Sequence, residues 1–462
     1  MLHYPKKILY KRLTMIKEYT DGVCSTITEV SAPRRIAFDL LRAVIIKKMR
    51  LSDALIDHSG NAKLSDRDRN FARSLVANSL RRLGHIDQVI NICLTRPLPM
   101  KASIVRDVLR IAATELLLLN IPPYATIHSA VNLVRSQGED KFAKLTNAVL
   151  RRIDRDGRSV INTLPAFHAL PKWLTKNLRQ TYGDDIAIAI AIAMQQQPML
   201  LDITVNTDHA YWARTLKAKI LPTGTLRRQM NGRIDRLIGF AEGAWWVQNA
   251  AAAIPVQLLG NVSGKTVVDL CAAPGGKTAQ LAARLANVIA VDQAPQRVKQ
   301  IKNNLDRLQL TAKCIIADAT KWQPQFPIDS LLLDAPCSAT GLIRRHPDIP
   351  WLKNERDVTK MAAIQDQLLN AAFSMVRPGG MIIFSTCSLL REEGSKRIEA
   401  LFSRNPYVTR KPITANEIGG LSELLNEDGD LLTRPDHLAN YGGIDGFYAC
   451  RLIKNKNFNR IL

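Results

Sequence analysis

Acidic side chains are scarce in this chain: 41 Asp and Glu stand against 64 Lys and Arg in 462 residues, a net charge of +23. More than half the excess lies in the first third, where residues 1–155 carry 27 basic and 14 acidic side chains. A charge of that size suits a polyanion, nucleic acid before anionic membrane. It also suits a generally basic protein, so charge alone does not name the partner. Long apolar runs are missing too. The longest, such as Ile186–Met194, fall well short of the roughly 20 residues a membrane-crossing helix needs. The N-terminus is basic but has no continuous apolar core followed by a small-residue cleavage site, so no secretory signal is expected. Cysteine is sparse and dispersed, at 24, 93, 271, 314, 337, 387 and 450. An odd count with no C-x-x-C pair argues against a disulfide framework or a bound metal, and for a reducing cytoplasm.

Residues 1–30 are basic, polar and without periodicity; they read as a flexible extension, with Met15 a second possible start. From Pro33 the pattern turns helical. Ile36, Leu40, Leu41, Val44 and Ile45 share one face, and further helices are expected over Ser65–Leu83, Ile86–Cys93, Ser103–Leu119, Ile127–Val134 and Lys141–Ile153. Asp66 and Asp68 sit early in their helix, where carboxylates suit its dipole. Residues 31–155 thus read as an all-α domain exposing Arg67, Arg69, Arg73, Arg81 and Arg82. A small α/β region follows over 156–240, with an amphipathic helix at 171–183 and a strand at 201–207. The Ile-Ala alternation from Ile186 to Ala193 favours helix, ended by Pro198.

The rest of the chain, 241–462, is organised around VVDLCAAPGGKT (267–278). An apolar β-branched run breaks into the turn Cys271-Ala272-Ala273-Pro274-Gly275-Gly276, and a helix follows. That is the opening unit of a doubly wound sheet, whose ligands lie beyond the carboxyl ends of the strands. Glycine lets a ligand approach the backbone, and the helix N-terminus offers N–H donors to an anion. A Walker-type loop would need glycine where Cys271 stands, and the G-x-G-x-x-G fingerprint is absent. Later runs repeat the design: strands are expected to end at Asp292, Asp318, Asp334 and Cys387. Four polar or reactive residues capping four apolar runs point to one ligand-lined sheet edge. A last strand at 446–453 is expected, with antiparallel pairing open. Asp292 follows Gly275 at the distance where a carboxylate meets ribose hydroxyls, and Asp318, one strand later, suits an adenine edge.

CAAPGGKT (271–278), DAPCS (334–338) and STCS (385–388), in that order, resemble the RNA (cytosine-5)-methyltransferases. GLIRRHPDIPW (341–351) and the helical first domain narrow the resemblance to the branch acting on small-subunit ribosomal RNA. The pattern departs once, where this chain has a single Phe447 before Tyr448 in place of two phenylalanines. The stretch 66–82 together with LLLLNIPPYATIHSAVNLVR (116–135) and LTNAVLRRI (145–153) resembles the RNA-binding domain of the antitermination factor B type. The fold implied is a helical RNA-binding domain, a small α/β middle subdomain and a Rossmann-like S-adenosylmethionine-dependent methyltransferase domain.

The resemblance implies S-adenosylmethionine held by Cys271, Ala272, Ala273, Pro274, Gly275, Gly276, Lys277, Asp292, Asp318 and Asp334. It assigns Cys387 as nucleophile and Cys337 as the cysteine assisting release. DNA enzymes use the position of Cys337 instead. The need for a thiol stands on chemistry alone. Carbon 5 of cytosine is a poor nucleophile, and a thiolate adding at carbon 6 enriches it, splitting one hard step into two. A free thiol has a pKa of about 8.5, so local positive charge would help, with Lys277 a candidate source. Asp334 could also meet the cytosine amino edge or move a proton. Arg344, Arg345 and His346 are expected beside the site on phosphates, and Arg67, Arg69 and Arg73 on RNA. The expected protein is a monomer that methylates carbon 5 of a cytosine in small-subunit ribosomal RNA without metal or membrane. The same chemistry on transfer RNA or another RNA, or a non-catalytic RNA-binding antitermination adaptor, are the rival readings.

Overall fold

The computed structural model describes residues 31–197, 200–230 and 232–456; the extension 1–30 and Pro198 lie outside them. Two compact units divide between Ala169 and Leu170. In the first, every regular element among the described residues is helical: α1 (Ala32–Ile45), α2 (Asp66–Arg81), α3 (Leu83–Cys93), α4 (Ser103–Leu117), α5 (Pro123–Ser136) and α6 (Ala143–Thr163), with short helices at Leu51–Asp57 and Ser59–Ala62. The 3.6-residue spacing of Ile36, Leu40, Leu41 and Val44 puts all four in the core. Ser65 caps α2 by accepting the Asp68 amide at 3.2 Å, a bond typically worth about 1 kcal/mol. α6 runs past the expected Ile153 because Gly157 does not stop it. A Cβ there would stand 3.0 Å from Leu117 and 3.4 Å from Val89, so this glycine permits close helix packing at its usual cost in helix propensity.

The second unit begins with α7 (Lys172–Met194), whose continuity is broken at Gly183, φ +76°. The Ile-Ala run is helical, and Ala187, Ile190, Ala191 and Met194 are buried. A four-stranded antiparallel sheet follows, in the order β2-β3-β1-β4, from β1 (Leu200–Val205), β2 (Lys219–Ile220), β3 (Leu226–Gln229) and β4 (Trp245–Val247). Then α8 (Ala250–Gln257) leads into the large sheet, whose first two crossovers are the helices α9 (Gly276–Ala283) and α10 (Pro295–Leu308).

That sheet contains β5 (Thr266–Leu270), β6 (Asn287–Asp292), β7 (Lys313–Ile316), β8 (Ile328–Asp334), β9 (Val376–Thr386), β10 (Val408–Arg410), β11 (Leu431–Thr433) and β12 (Phe447–Lys454). Its order is β10-β12-β9-β8-β5-β6-β7, with β11 against β12. β5 to β9 pair in parallel, while β12 runs antiparallel to β9 with Tyr448 opposite Thr386. Side chains alternate between two helical layers. Val268, Leu270, Leu331, Leu333 and Phe384 pack on one face with α11 (Glu355–Met375) and α12 (Ser395–Arg404). Val267, Leu332 and Ile383 pack on the other with Ile254, Val256 and Leu281. Strand order reverses between β5 and β8, the crevice where a ligand binds in such sheets. Two strands end earlier than expected. β7 stops at Ile316, leaving Asp318 in the following turn, and β9 stops at Thr386, so Cys387 is the first residue beyond it.

Candidate active site

The glycine turn joins β5 to α9 (Gly276–Ala283) at the crevice. Gly275 has φ +98°, and a Cβ on it would stand 3.2 Å from Ile301, so the protein itself demands glycine there. Gly276 differs. Its φ is not positive and its nearest neighbour would be Gln248 at 3.8 Å. Protein packing does not explain its lack of a side chain, and the space beside its backbone is of the kind an adenosyl donor would fit. The amides of Ala272, Ala273 and Gly275 already donate to the Val291 carbonyl, the Asp292 carboxylate and the Ala272 carbonyl. Donors for a ligand therefore come from the first turn of α9, where amides lack intrahelical partners.

Asp292 is buried at the end of β6. It accepts the Ala273 and Ala294 amides at 3.2 Å each and pairs with Arg297 at 3.2 Å, which holds the turn to its strand. Asp318 is exposed, and bonds from the Thr320 hydroxyl and amide lower its pKa. Cys271 turns its side chain towards the core, and burial pushes its thiol up to about 12. It belongs to the turn by its backbone, at φ +59°.

Across the crevice, Lys277 in the first turn of α9 donates to Asp334 at the end of β8, 2.6 Å away. Its ammonium lies 5.0 Å from the centre of the Phe447 ring. The other Asp334 oxygen accepts the Ser385 hydroxyl at 3.2 Å. Lys277 is thus engaged with a carboxylate, while the Cys387 side chain packs against the apolar cluster of Ala250, Ala251, Ile444 and Phe447. Bonds therefore run from the glycine turn through Lys277 and Asp334 to Ser385, two residues before Cys387. Cys387 and Cys337 come together, sulfurs 3.4 Å apart and both free. Contact with the Cys387 sulfur, then burial, then the Glu393 charge push the Cys337 thiol well above its usual range.

The sequence neighbours of this geometry are decisive. Residues 256–453 match the family model described as 16S rRNA methyltransferase RsmB/F, and residues 31–155 match the NusB family. Ribosomal RNA small subunit methyltransferase B of Cronobacter sakazakii is 32% identical over 446 residues, 91% of this chain and 98% of that protein. The chain belongs to the ribosomal RNA small subunit methyltransferase B family. The protein of the same name from Salmonella arizonae is 34% identical over 85% of this chain and 92% of its own length. Among solved structures, PH0851 shares the fold, with TM-score 0.71 and 22% identity over 91% of this chain and 99% of its own.

Within this member of the small subunit methyltransferase B family, the basic residues after Cys337 separate. Arg344 is not available to a phosphate: it is buried and donates to the carbonyls of Gly442 at 2.7 Å and Ile444 at 3.3 Å. The sequence expectation for it is corrected on that ground, since the guanidinium closes a loop inside the fold. Arg345 pairs with buried Asp445 at 3.0 Å, and its guanidinium lies 3.8 Å from Asp202. His346 is exposed. On α2, Arg67 and Arg73 are exposed. Arg69 is half-buried, pairs with Asp66 at 3.1 Å and donates to the carbonyls of Asn61 and Leu64. Arg81, expected on the surface, is buried.

Three features escaped the sequence reading. Helix α11 carries a signal that could have found it, the Asn354–Asp357 capping box ahead of its apolar spacing. Its Gln365 donates to the Pro336 carbonyl at 2.8 Å, steadying the turn before Cys337. Asp269, fully buried in β5, has its pKa pushed up to about 7 by burial and accepts the Thr278 hydroxyl at 2.6 Å. Glu393, also buried, has nothing in the sequence to distinguish it from its neighbour Glu392.

Proposed function

We propose that this protein transfers the methyl group of S-adenosylmethionine to carbon 5 of a cytosine in small-subunit ribosomal RNA, through a covalent bond to Cys387. The reading rests on family membership, and one observation carries the chemistry: two unlinked thiols 3.4 Å apart at the ligand edge of the sheet. The glycine turn, Asp292 and Asp318 hold the methyl donor, with Gly276 leaving room for it. S-adenosylmethionine supplies an electrophilic methyl on a sulfonium.

The chain's residues do the rest. Cys387 as thiolate adds to carbon 6, and the electron pair of the 5,6 double bond moves to enrich carbon 5, the atom that takes the methyl. Asp334, fixed by Lys277 and Ser385, is set to accept from the cytosine amino group. A base then takes the carbon-5 proton, the electron pair of that carbon–hydrogen bond re-forms the 5,6 double bond, and the carbon 6–sulfur bond breaks with its pair leaving on Cys387 as thiolate. Cys337, held as a thiol, hydrogen-bonds the departing sulfur and eases release. The exposed arginines of the helical unit bind RNA phosphates. The enzyme acts as a monomer in the cytoplasm and needs no metal; among the described residues, no helix is long and apolar enough to cross a membrane.

The test incubates the purified protein with methyl-labelled S-adenosylmethionine and either small-subunit ribosomal RNA, assembled subunits or transfer RNA, followed by bisulfite mapping. Label at one cytosine of the small-subunit RNA is expected. Label only in transfer RNA, or none in any RNA, overturns the reading.

A further inference from the structure

We propose that Glu393 is a positioning residue of the cysteine pair, its one carboxylate joining the loop that carries Cys337 to the loop that carries Cys387. The inference rests on the function proposed above and deepens the same site. One Glu393 oxygen accepts the backbone N–H of Ser338 at 2.7 Å. The other accepts the Ser388 hydroxyl at 2.6 Å and the Ser338 hydroxyl as well. Ser338 follows Cys337, and Ser388 follows Cys387. The Glu393 carbonyl also accepts the hydroxyl of Thr386, the residue before Cys387, at 3.1 Å. Both neighbours of Cys387 and the residue after Cys337 are therefore fixed to one glutamate.

A second layer closes the arrangement. Thr340 takes the Leu389 amide at 2.9 Å, and the Gly341 amide donates to the Cys387 carbonyl at 3.0 Å. Glu393 has no exposed surface, and among the described residues no ion pair includes it. A buried carboxylate whose donors are one amide and two hydroxyls keeps much of its desolvation cost. Burial pushes its carboxyl up, and the bonds from Ser338 and Ser388 oppose that. An apolar side chain in this place would leave the buried Ser338 amide and the Ser338 and Ser388 hydroxyls without their acceptor. Nor would it hold two loops from different strands in one register, and so fix the distance between two sulfurs.

The experiment measures steady-state turnover of the full-length protein with small-subunit ribosomal RNA and labelled S-adenosylmethionine, together with calorimetric binding of the donor. Glu393→Ala should lower kcat about 100-fold, the cost of roughly 1 Å of misplacement. KM for RNA and donor affinity should stay within about twofold, as expected when only the transition state is affected. Glu393→Gln should keep kcat within about tenfold of wild type, because its carbonyl still accepts the Ser338 amide and its NH2 meets hydroxyls able to turn and accept. If Glu393→Ala does not fold, the Ser338→Ala/Ser388→Ala double variant decides, with an intermediate loss in kcat at unchanged KM expected. Turnover within about threefold of wild type in Glu393→Ala or, where that does not fold, in the double variant overturns the proposal. Equal damage in Glu393→Gln and Glu393→Ala, or a loss confined to KM, also overturns it. An inactive wild type sinks the function proposed above together with this inference, whereas active wild type beside active Glu393→Ala sinks this inference alone.

Discussion

The sulfurs of Cys337 and Cys387 lie 3.4 Å apart across a separation of 50 residues in the chain. Parallel pairing of β8 with β9 brings them together: Asp334 sits opposite Ser385, and the Ala335 amide extends the ladder to the Ser385 carbonyl at 2.8 Å. Cys337 lies three residues past the end of β8, and Cys387 is the first residue beyond β9. A base that reaches one sulfur is within reach of the other.

Different roles for the two thiols predict different failures. Cys387→Ala should abolish methyl transfer while leaving donor affinity nearly unchanged. Cys337→Ala should accumulate a protein–RNA adduct that survives denaturing electrophoresis, since the departing sulfur loses its hydrogen-bond donor. Turnover by Cys387→Ala, or absence of the adduct, contradicts the assignment.

The two glycines of the turn should part company. Gly275→Ala forces a Cβ onto a backbone at φ +98° and should destabilise by about 1–2 kcal/mol, seen as a lower Tm. Gly276→Ala has space in the protein, so Tm should hold while donor affinity falls about tenfold or more. Calorimetry and thermal melts on both variants check the contrast; equal behaviour would remove the argument that Gly276 makes room for a ligand.

Asp269 sets a pH dependence of definite sign. Burial holds its folded pKa at about 7, above the ordinary carboxylate value of 3.8. The unfolded chain therefore releases this proton first, and the folded state loses stability as pH rises from about 4 to about 7. The loss from this group is on the order of 4 kcal/mol. Asp269→Asn, which cannot ionise, should gain on wild type over that interval. Urea midpoints at pH 5 and pH 8 measure it, and a constant difference between the two proteins would refute the shift.

The arginines separate by burial. Arg67→Ala and Arg73→Ala should weaken RNA binding at all sequences and reduce the salt slope by about one per lost phosphate contact. Arg344→Ala should lower Tm, because the carbonyls of Gly442 and Ile444 lose their donor, and leave the salt slope unchanged. A reduced slope in Arg344→Ala would show that the loop opens to RNA.

By itself the sequence determined the type of most elements, though not of the 21-residue helix α11, and the residues at the sheet edge. Periodicity and strand-end motifs are local properties: Ile36 to Val44 had to bury one helix face, and Asp292 and Asp334 had to stand where apolar runs stop. Only the tertiary structure decided which polar residues face a ligand and which face the protein. Arg344 and Arg345 are adjacent and chemically alike, yet only Arg344 gives two donors to backbone carbonyls. Glu392 and Glu393 differ in the same way, one on the surface side and one locked between two cysteine loops. Burial depends on partners distant in the chain, such as Ser338 for Glu393 and Gly442 for Arg344. No local pattern records them.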